Sequence, residues 1–546
     1  MPGRGSAARK ASARGRPSVS RRSRSPGSPS IPPAHDEEEN GRVNETEGDD
    51  LVEALLREAR LSGAVEAEVY RKSARGRRVA LEPALLAAGR PRLTVSVSEE
   101  EGITLRVKDA RGRWGFAWRS PAGRGDPRSL AAEALAACRP APPADLLGGS
   151  GWSAACALPH DQGGGVAGRA QDGSALPSNL EIDDPEVTGA GVDRLADILA
   201  EGCEAARSIA AGAAEVDRSL LSAAGTSVTL ANSLGFRGTY RKSLALLSIA
   251  MVPAAAGARA VLEERSACRL RDLGARECGR EAALRALPAR PAVPPPHDDL
   301  PLILGPRAAA SLLVSLLPWI LDGGREQGGP HHRTERGSQP CRLSVVDDAR
   351  LPAGFGSAPF DGVGRPTRRT TLVAGGTRAG RLSSLGGNVV RPSFRDAPAV
   401  GPANLHILPA SEVGELLADP LVDPIGERLA DQVRVDAGPC LRVTAARFIP
   451  GPAWRVRVLK GEWHREDGTP AGAADGVAWK GPLEAILGGI TAAGSDLRFV
   501  HLGLPLGAPS LRIEGLRPWY VEGTRARDSV FLKRPARAGP AEPTGS

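Results

Sequence analysis

The chain has 546 residues, which is enough for two or three domains with separate cores. Lys and Arg number 71 against 63 Asp and Glu, a formal net charge of +8, and aromatic residues make up only 3%. The longest apolar runs, Leu244–Ala256 and Ala308–Leu317, are too short to cross a bilayer, which argues against a membrane protein.

The first 49 residues are predicted to be a disordered tail. Basic residues dominate the first 25 positions, and an acidic run from Asp36 to Asp50 follows, with Ser, Pro and Gly between the charges. A basic tail can bind phosphate backbones, but the chain has no helix-turn-helix, zinc-finger or RNA-binding aromatic motif, so a nucleic-acid partner is disfavoured. The start lacks the apolar stretch of a secretory signal, which favours the cytoplasm; an organellar transit peptide in residues 1–35 is the alternative.

Residues 50–138 are predicted to form an N-terminal α/β module. Apolar residues from Leu51 to Ala59 recur at helical spacing, and Gly63 closes that helix. AEVYR, VALEP and LTVSVSEEEGITLRVKD are predicted strands, and WGFAW follows the RGRW turn. The alternation Leu93-Val95-Val97 and Ile103-Leu105-Val107 predicts one buried face. A helix is expected over Asp126–Cys138.

A Pro- and Gly-rich linker or insertion is expected over 139–179, and a central α+β module over 180–300. The central module opens at Asp184-Pro185 and contains an amphipathic helix over Gly191–Ala210. Antiparallel strands with tight glycine turns follow, and then a helix over Cys278–Leu287.

Residues 301–523 are predicted to be a β-rich C-terminal domain, and 524–546 a second disordered tail. Strand LPLILGP leads into a helix over Arg307–Leu321, which Pro318 should end or kink. A polar loop is expected over 323–340. Two further helices are predicted at Glu412–Asp419 and Gly481–Ile490. The fold class is therefore α+β.

Cysteine chemistry is not indicated. No two cysteines form a C-x-x-C pair, so neither a disulfide framework nor a zinc ribbon is predicted, and scattered reduced thiols are expected. The seven are Cys138, Cys156, Cys203, Cys268, Cys278, Cys341 and Cys440.

The histidines do not form a metal site in the sequence. A metallopeptidase needs two imidazoles on one helix face, a third ligand and a carboxylate base. No two of the eight share a predicted helix at that spacing: His35, His160, His297, His331, His332, His406, His464 and His501. His406 is expected to be structural within a strand, and His464 to lie at a solvated hairpin tip. A G-x-S-x-G elbow and a phosphate-binding loop are also absent from the sequence.

Several motifs, in their order and spacing, resemble the TldD/PmbA family of peptidase-related proteins, and the PmbA (TldE) branch more than TldD. They are AEVY (Ala67–Tyr70), EEGITLRVKDARGRWGFAW (Glu100–Trp118), LEIDDP (Leu180–Pro185), LANSLGF (Leu230–Phe236), LGPRAAASLLVSLLPWILDG (Leu304–Gly323), FGSAPFDGVGRPTRRTTLVAGG (Phe355–Gly376), RPSF (Arg391–Phe394), NLHILP (Asn404–Pro409) and GAPSLRIEGL (Gly507–Leu516).

The resemblance implies the fold and argues against the chemistry. In TldD the helix after the Gly-Pro turn carries His-Glu-x-x-x-His, and the matching places here are held by Val314, Ser315 and Trp319. TldD also has a cysteine ligand before the last motif, where this chain reads SDLRFVHLGLPL. Asp361 is kept in DGVG, but two acids that relatives carry beside it are not. We therefore expect no catalytic, cofactor-binding or metal-binding residue in this chain.

The resemblance further implies a dimer that encloses a chamber. Zinc would come from a TldD-like partner, or the chain would pair with itself, and the substrate would be unfolded peptides. The expected role is a non-catalytic subunit of a proteolytic complex. A free-standing peptide- or protein-binding scaffold, and an enzyme with a new site, are the alternatives.

Overall fold

A computed structural model describes residues 49–82, 92–139, 176, 179–293, 300–321, 343–409 and 438–520, except 124, 256, 376, 383–388, 452, 475, 495, 503, 517 and 518. Several predictions lie outside these residues. They concern the N-terminal tail up to 48, most of the insertion at 139–179, the loop at 323–340, the helix at 412–419 and the C-terminal tail.

One antiparallel seven-stranded sheet contains the strands of both N-terminal modules. Its order is β3-β2-β1-β5-β6-β4, with β7 also paired to β6. Strand β1 pairs along its length with β5, which joins the two modules in a single sheet. The strands are β1 Glu66–Glu82, β2 Arg92–Lys108, β3 Trp114–Arg119, β4 Ala214–Val216, β5 Ser219–Asn232, β6 Arg237–Pro253 and β7 Val261–Ala267. The predicted separate strands AEVYR and VALEP are both parts of β1.

Helices cover one face of this sheet. The first two pack on β1–β3 around Leu55, Leu105 and Leu130, and the two long helices of the central module pack on β5 and β6 around Leu199 and Leu247. The helices are α1 at 49–61, α2 Pro127–Ala136, α3 Pro185–Gly189, α4 Val192–Ala210 and α5 Ala275–Ala286. Asp126 and Asp184 cap α2 and α3 by accepting backbone N–H groups.

The predicted buried face of β2 is correct only for its second half. Ile103, Leu105 and Val107 are at most 1% exposed, whereas Leu93, Val95 and Val97 are 45%, 47% and 63% exposed. Strand β3 pairs only with Ile103–Lys108, so within the described chain the outer edge of residues 92–102 carries no neighbouring strand. The alternation of apolar and polar residues therefore runs along all of β2, although helices cover only the second half of the strand.

The C-terminal part consists of two further sheets with α6 packed between them. Helix α6 (Pro306–Leu321) contacts strands of both sheets. It continues past Pro318 to Leu321, as the predicted range had it, so this proline does not end the helix at its own position; the alternative of a kink stays a prediction. A small sheet pairs β12 with β13, and α7 (Leu483–Gly488) lies near the chain end.

The six-stranded sheet has the order β11-β10-β9-β14-β21-β20. The eight-stranded sheet has the order β19-β22-β8-β15-β16-β18-β23, with β17 on β16. Their strands, with β12 and β13, are β8 Leu302–Leu304, β9 Leu343–Asp348, β10 Arg369–Ala374, β11 Thr377–Arg378, β12 Val389–Val390, β13 Ala399–Val400, β14 Leu405–Pro409, β15 Cys440–Ile449, β16 Trp454–His464, β17 Pro470–Ala473, β18 Val477–Gly481, β19 Ile490–Ala493, β20 Arg498–His501, β21 Pro505–Ala508, β22 Leu511–Ile513 and β23 Trp519–Tyr520.

The arrangement confirms the predicted α+β class. The predicted helices at 191–210, 278–287 and 481–490 are all present, with ends that differ by a few residues. In the described part of the chain, no helix has both the length and the apolar character needed to cross a membrane.

Candidate functional site

Helix α6 carries all three positions that the sequence singled out for a metal site, Val314, Ser315 and Trp319. Within the helix, Ser311 Oγ donates to the carbonyl of Ala308 at 2.6 Å, and Ser315 Oγ lies 3.2 Å from that of Ser311. The same two hydroxyls each lie 3.2 Å from a strand carbonyl, Ser311 from that of Ala446 and Ser315 from that of Phe448. Both carbonyls belong to β15. Val314 packs partly buried against the apolar core that surrounds the helix. These side chains therefore attach the helix to the sheet; the side chain of Trp319 lies outside the described residues.

A zinc ion does not fit this part of α6. Zinc is held by imidazole, thiolate or carboxylate groups, and Ser311 and Ser315 present hydroxyls already directed at backbone carbonyls. Across the residues that the structure describes, no three His, Cys, Asp or Glu side chains converge as a metal site. Histidines 35, 160, 297, 331 and 332 lie outside that part of the chain.

His501 lies beside a serine hydroxyl and an aromatic ring, and it was not predicted from the sequence as a site residue. It ends β20, half-buried, with Nε2 2.8 Å from Ser266 Oγ of β7. The ring of Phe355 meets the imidazole edge-on at 5.7 Å. Burial lowers the pKa of His501, and Arg307 acts in the same direction. The imidazole is therefore neutral at pH 7, and its position just before the GAPSLRIEGL motif was the available signal.

Lys242 lies on the other side of Phe355. Its ammonium donates to the carbonyls of Phe355 and, at 3.1 Å, Ser357, and lies 5.6 Å from the Phe355 ring. Burial lowers the pKa of Lys242 to about 8. The thiol of Cys268 is buried nearby, and burial raises its pKa, so it stays protonated and unreactive.

These groups occupy the sheet face opposite the helices. Thr226 of β5 faces Lys242 of β6, while the odd-numbered neighbours point into the helix-covered core. A neutral imidazole, a hydroxyl and a lysine ammonium thus surround Phe355. They could hydrogen-bond a peptide carbonyl or carboxylate. Glu264 acts on the imidazole through its charge, but among the described residues no carboxylate hydrogen-bonds His501 as a catalytic triad requires.

An ion-pair network on the helix-covered side of the sheet connects β7 and α5 to the start of α6. Glu263 of β7 accepts from Arg285 of α5 and, at 3.5 Å, from Arg307 of α6. Glu281 of α5 similarly pairs with Arg265 at 3.2 Å and with Arg498 of β20. The network fixes the first turn of α6 against the N-terminal sheet.

The RPSF segment docks on the same sheet face at β1 and β2. Arg391 donates to Glu68 inside the protein, where both side chains are at most 2% exposed, and its guanidinium lies 4.8 Å from the ring of Tyr70. Burial lowers the pKa of Arg391 to about 9. Phe394 covers Gly102, where a Cβ would lie only 2.3 Å from the ring, so this contact requires glycine.

The remaining histidines and the retained aspartate have structural roles. His406 is 2% exposed in β14, and its Nδ1 donates to the Asn404 carbonyl at 2.8 Å, as expected of a structural histidine. His464 ends β16 and pairs with Gly468 in the neighbouring turn. Asp361 Oδ1 accepts from the backbone N–H groups of Val363 and Arg365, so it closes the DGVG turn by itself. The described cysteines are all buried, and no disulfide joins any two of them.

Comparison with known protein families gives a match over residues 297–518. The matching family is the PmbA/TldA metallopeptidase C-terminal domain. The matched range covers α6, both C-terminal sheets and the RPSF segment. None of the curated proteins compared with the sequence matches it.

Solved structures resemble almost the whole chain. TldE from Thermococcus kodakarensis is 16% identical with a TM-score of 0.61, over 86% of this chain and 99% of that one. Two proteins described as candidate modulators of DNA gyrase are each 17% identical. The one from Thermotoga maritima has a TM-score of 0.60 over 86% and 100% of the two chains, and that from Bacteroides thetaiotaomicron 0.62 over 87% and 99%. At these identities the likeness establishes the fold.

Proposed function

Because this chain belongs to the TldD/PmbA family, we propose that it is the non-catalytic, PmbA-like subunit of a peptidase assembly that acts on unfolded peptides. The observation that carries the proposal is that the hydroxyls of Ser311 and Ser315 are directed at backbone carbonyls of α6 and β15. In an active relative, this helix must present ligands to a metal. Here it presents hydroxyls to backbone carbonyls.

The chemistry of peptide hydrolysis explains why this matters. A zinc peptidase activates water on the metal and passes the proton to a nearby carboxylate. Val314 and Ser315 supply neither a ligand nor a base, and His501 donates to or accepts from Ser266 instead. We therefore assign the metal to a TldD-like partner in a cytoplasmic dimer.

This chain would contribute the wall of the peptide-binding space. The face that bears Lys242, Ser266 and His501 offers hydrogen-bonding groups beside the Phe355 ring, a combination that suits a peptide backbone and its side chains. Substrate selection for unfolded chains would then follow from the shape of the enclosed space, because a folded domain would not fit.

The test is reconstitution with a TldD-like protein from the same genome. We expect the isolated chain to retain no stoichiometric zinc by elemental analysis and to leave unfolded casein intact. The mixture should co-elute as a complex and degrade casein. Replacing the glutamate of the partner's His-Glu-x-x-x-His motif with alanine should abolish cleavage. Stoichiometric zinc and peptidase activity in the isolated chain would contradict the proposal.

A further inference from the structure

An open cavity of about 690 Å³ lies between the last two turns of α1 and the turn that joins β5 to β6. It is distinct from the Phe355 cluster and does not include α6. The turn contains the LANSLGF motif, which the proposed function does not explain.

The walls of this cavity are held in place by hydrogen bonds. Asn232 Oδ1 accepts from the backbone N–H groups of Leu234 and Phe236, both at 3.0 Å, which fixes the turn. Arg60 Nη2 donates to the Ser233 carbonyl at 2.8 Å, and Ser233 Oγ accepts from the Ala67 N–H at 2.9 Å. The turn is therefore anchored to both α1 and β1, and the cavity is a preformed site.

The charge of the lining is positive. Arg57, Arg60 and Arg237 line the cavity together with a single carboxylate, that of Glu53, which pairs with Arg237 at 2.6 Å. Arg57 and Arg60 are three residues apart on α1 and so lie on the same side of the helix. Two guanidinium groups thus face the cavity without a carboxylate partner among its lining residues.

The remaining lining is apolar. Leu56 and Phe236 are buried at the floor, while Leu61 and Leu234 are 75% and 50% exposed at the mouth. Large apolar side chains with that exposure, next to paired arginines, suit a ligand that combines a negative charge with an apolar group.

We propose that this cavity binds the C-terminal end of a peptide whose last residue is apolar. The terminal carboxylate accepts hydrogen bonds from Arg57 and Arg60, and the last side chain packs on Leu61 and Leu234. Arginine forks match a carboxylate by two parallel hydrogen bonds, which favours this ligand over a neutral peptide. The inference does not rest on the proposed function, since the cavity keeps this chemistry whether or not a peptide is cleaved.

The experiment measures fluorescence anisotropy of the full chain with fluorescein-labelled Gly-Gly-Ser-Gly-Leu. The probe is used as the free acid and as the C-terminal amide. We expect the acid to bind at least about 10-fold more tightly, because hydrogen bonds to a charged group are lost in the amide. A peptide ending in Ser should bind more weakly than one ending in Leu. Equal affinity for acid and amide overturns the proposal.

Variants separate this site from general attraction to a basic protein. The double variant Arg57→Ala/Arg60→Ala should weaken binding of the acid at least about 10-fold. Arg128→Ala, an exposed arginine of α2 outside the cavity, should leave it unchanged. Leu234→Ser should remove the preference for Leu over Ser. Melting temperatures verify that each variant is folded. An equal loss of affinity in Arg128→Ala refutes the assignment. So does competition by millimolar inorganic phosphate that is as effective as competition by the peptide acid.

Discussion

The half-buried hydroxyl of Ser315 faces a strand carbonyl, so a charged side chain at this position would destabilise the protein. Ser315→Ala should lower the free energy of unfolding by about 1 kcal/mol through loss of one hydrogen bond. Ser315→Glu should lower it by about 2–4 kcal/mol, because a carboxylate would face the carbonyl of Phe448 without a donor. Urea denaturation measures both effects.

The matched control for this pair is Ser208→Glu on the exposed side of α4. Its effect should stay within about 0.5 kcal/mol, as for other surface substitutions. If Ser315→Glu were as stable as the parent and bound zinc, α6 would be able to form a metal site. That result would contradict the non-catalytic role proposed for this chain.

His406 gives the protein a defined acid sensitivity. Burial lowers its pKa to about 4 in the folded protein, compared with 6.5 as the ordinary value. The unfolded chain thus takes up a proton first as pH falls. The contribution of His406 to stability is constant above pH 6.5 and declines between pH 6.5 and 4, by about 3 kcal/mol in total.

Unfolding free energies of the parent and His406→Gln, measured from pH 7 to pH 4, test this dependence. The glutamine can still donate to the Asn404 carbonyl but does not titrate, so its curve should be flatter. His464→Gln, at the end of β16, should leave the parent slope in place. Parallel curves for the parent and His406→Gln would rule out His406 as the source.

At the scale of elements, the RPSF segment depends on a buried ion pair with β1. Arg391→Ala should cost about 3–5 kcal/mol, because buried Glu68 would lose its hydrogen-bonded partner and keep only Arg106, whose Nη1 lies 3.8 Å away. Arg395→Ala in the same segment should cost less than about 1 kcal/mol, since its pair with Glu100 at 3.1 Å is solvent-exposed.

A double-mutant cycle separates the pair from its surroundings. Glu68→Ala/Arg391→Ala should destabilise the protein by less than the sum of the single variants, because each single variant already breaks the bond between the two side chains. Arg106 stays buried over the ring of Trp114 both in Glu68→Ala and in the double variant, so its loss of Glu68 cancels in the cycle. Additive losses in chemical denaturation would mean that the segment is held by Phe394 over Gly102 and not by the ion pair.

Elements with a local signal were predictable from the sequence. Amphipathic spacing identified α4, an apolar run after a Gly-Pro turn identified α6, and α2 was predicted from Asp126 onward. The short helix α3 was not predicted. Leu93, Val95 and Val97 were misjudged because alternation reports a strand with an apolar face but not whether another layer covers it. Pro318 lies inside α6 and does not end it, because a proline near the end of a helix removes only one backbone donor.

The candidate site was predictable only in part. The helix that would hold a metal in a relative was identified from its motif. The grouping of Lys242, Ser266 and His501 around Phe355 was not, because the four residues come from distant parts of the chain and none has a local pattern. Likewise, RPSF was recognised as a motif, but its partner Glu68 is fixed by the fold alone.

For the whole molecule, the exposed first half of β2, with Leu93, Val95 and Val97, is expected to promote aggregation. An unpaired, apolar edge can pair with other chains, and a lysine on such an edge opposes this. Val97→Lys should therefore raise the protein concentration at which light scattering begins, with little change in stability. Ser98→Lys adds the same charge on the opposite face and should help less. Equal improvement by both would attribute the effect to net charge.

The pairing of β1 with β5 has a consequence for synthesis on the ribosome. Glu68 pairs with Asn232, so the inner edge of β1 has no partner until the chain has grown past β5. At ordinary elongation rates this interval lasts on the order of ten seconds. During that time the β1–β2 hairpin carries two open edges, which makes the nascent chain a substrate for chaperones. We expect the yield of folded protein to fall with expression temperature well below its melting point.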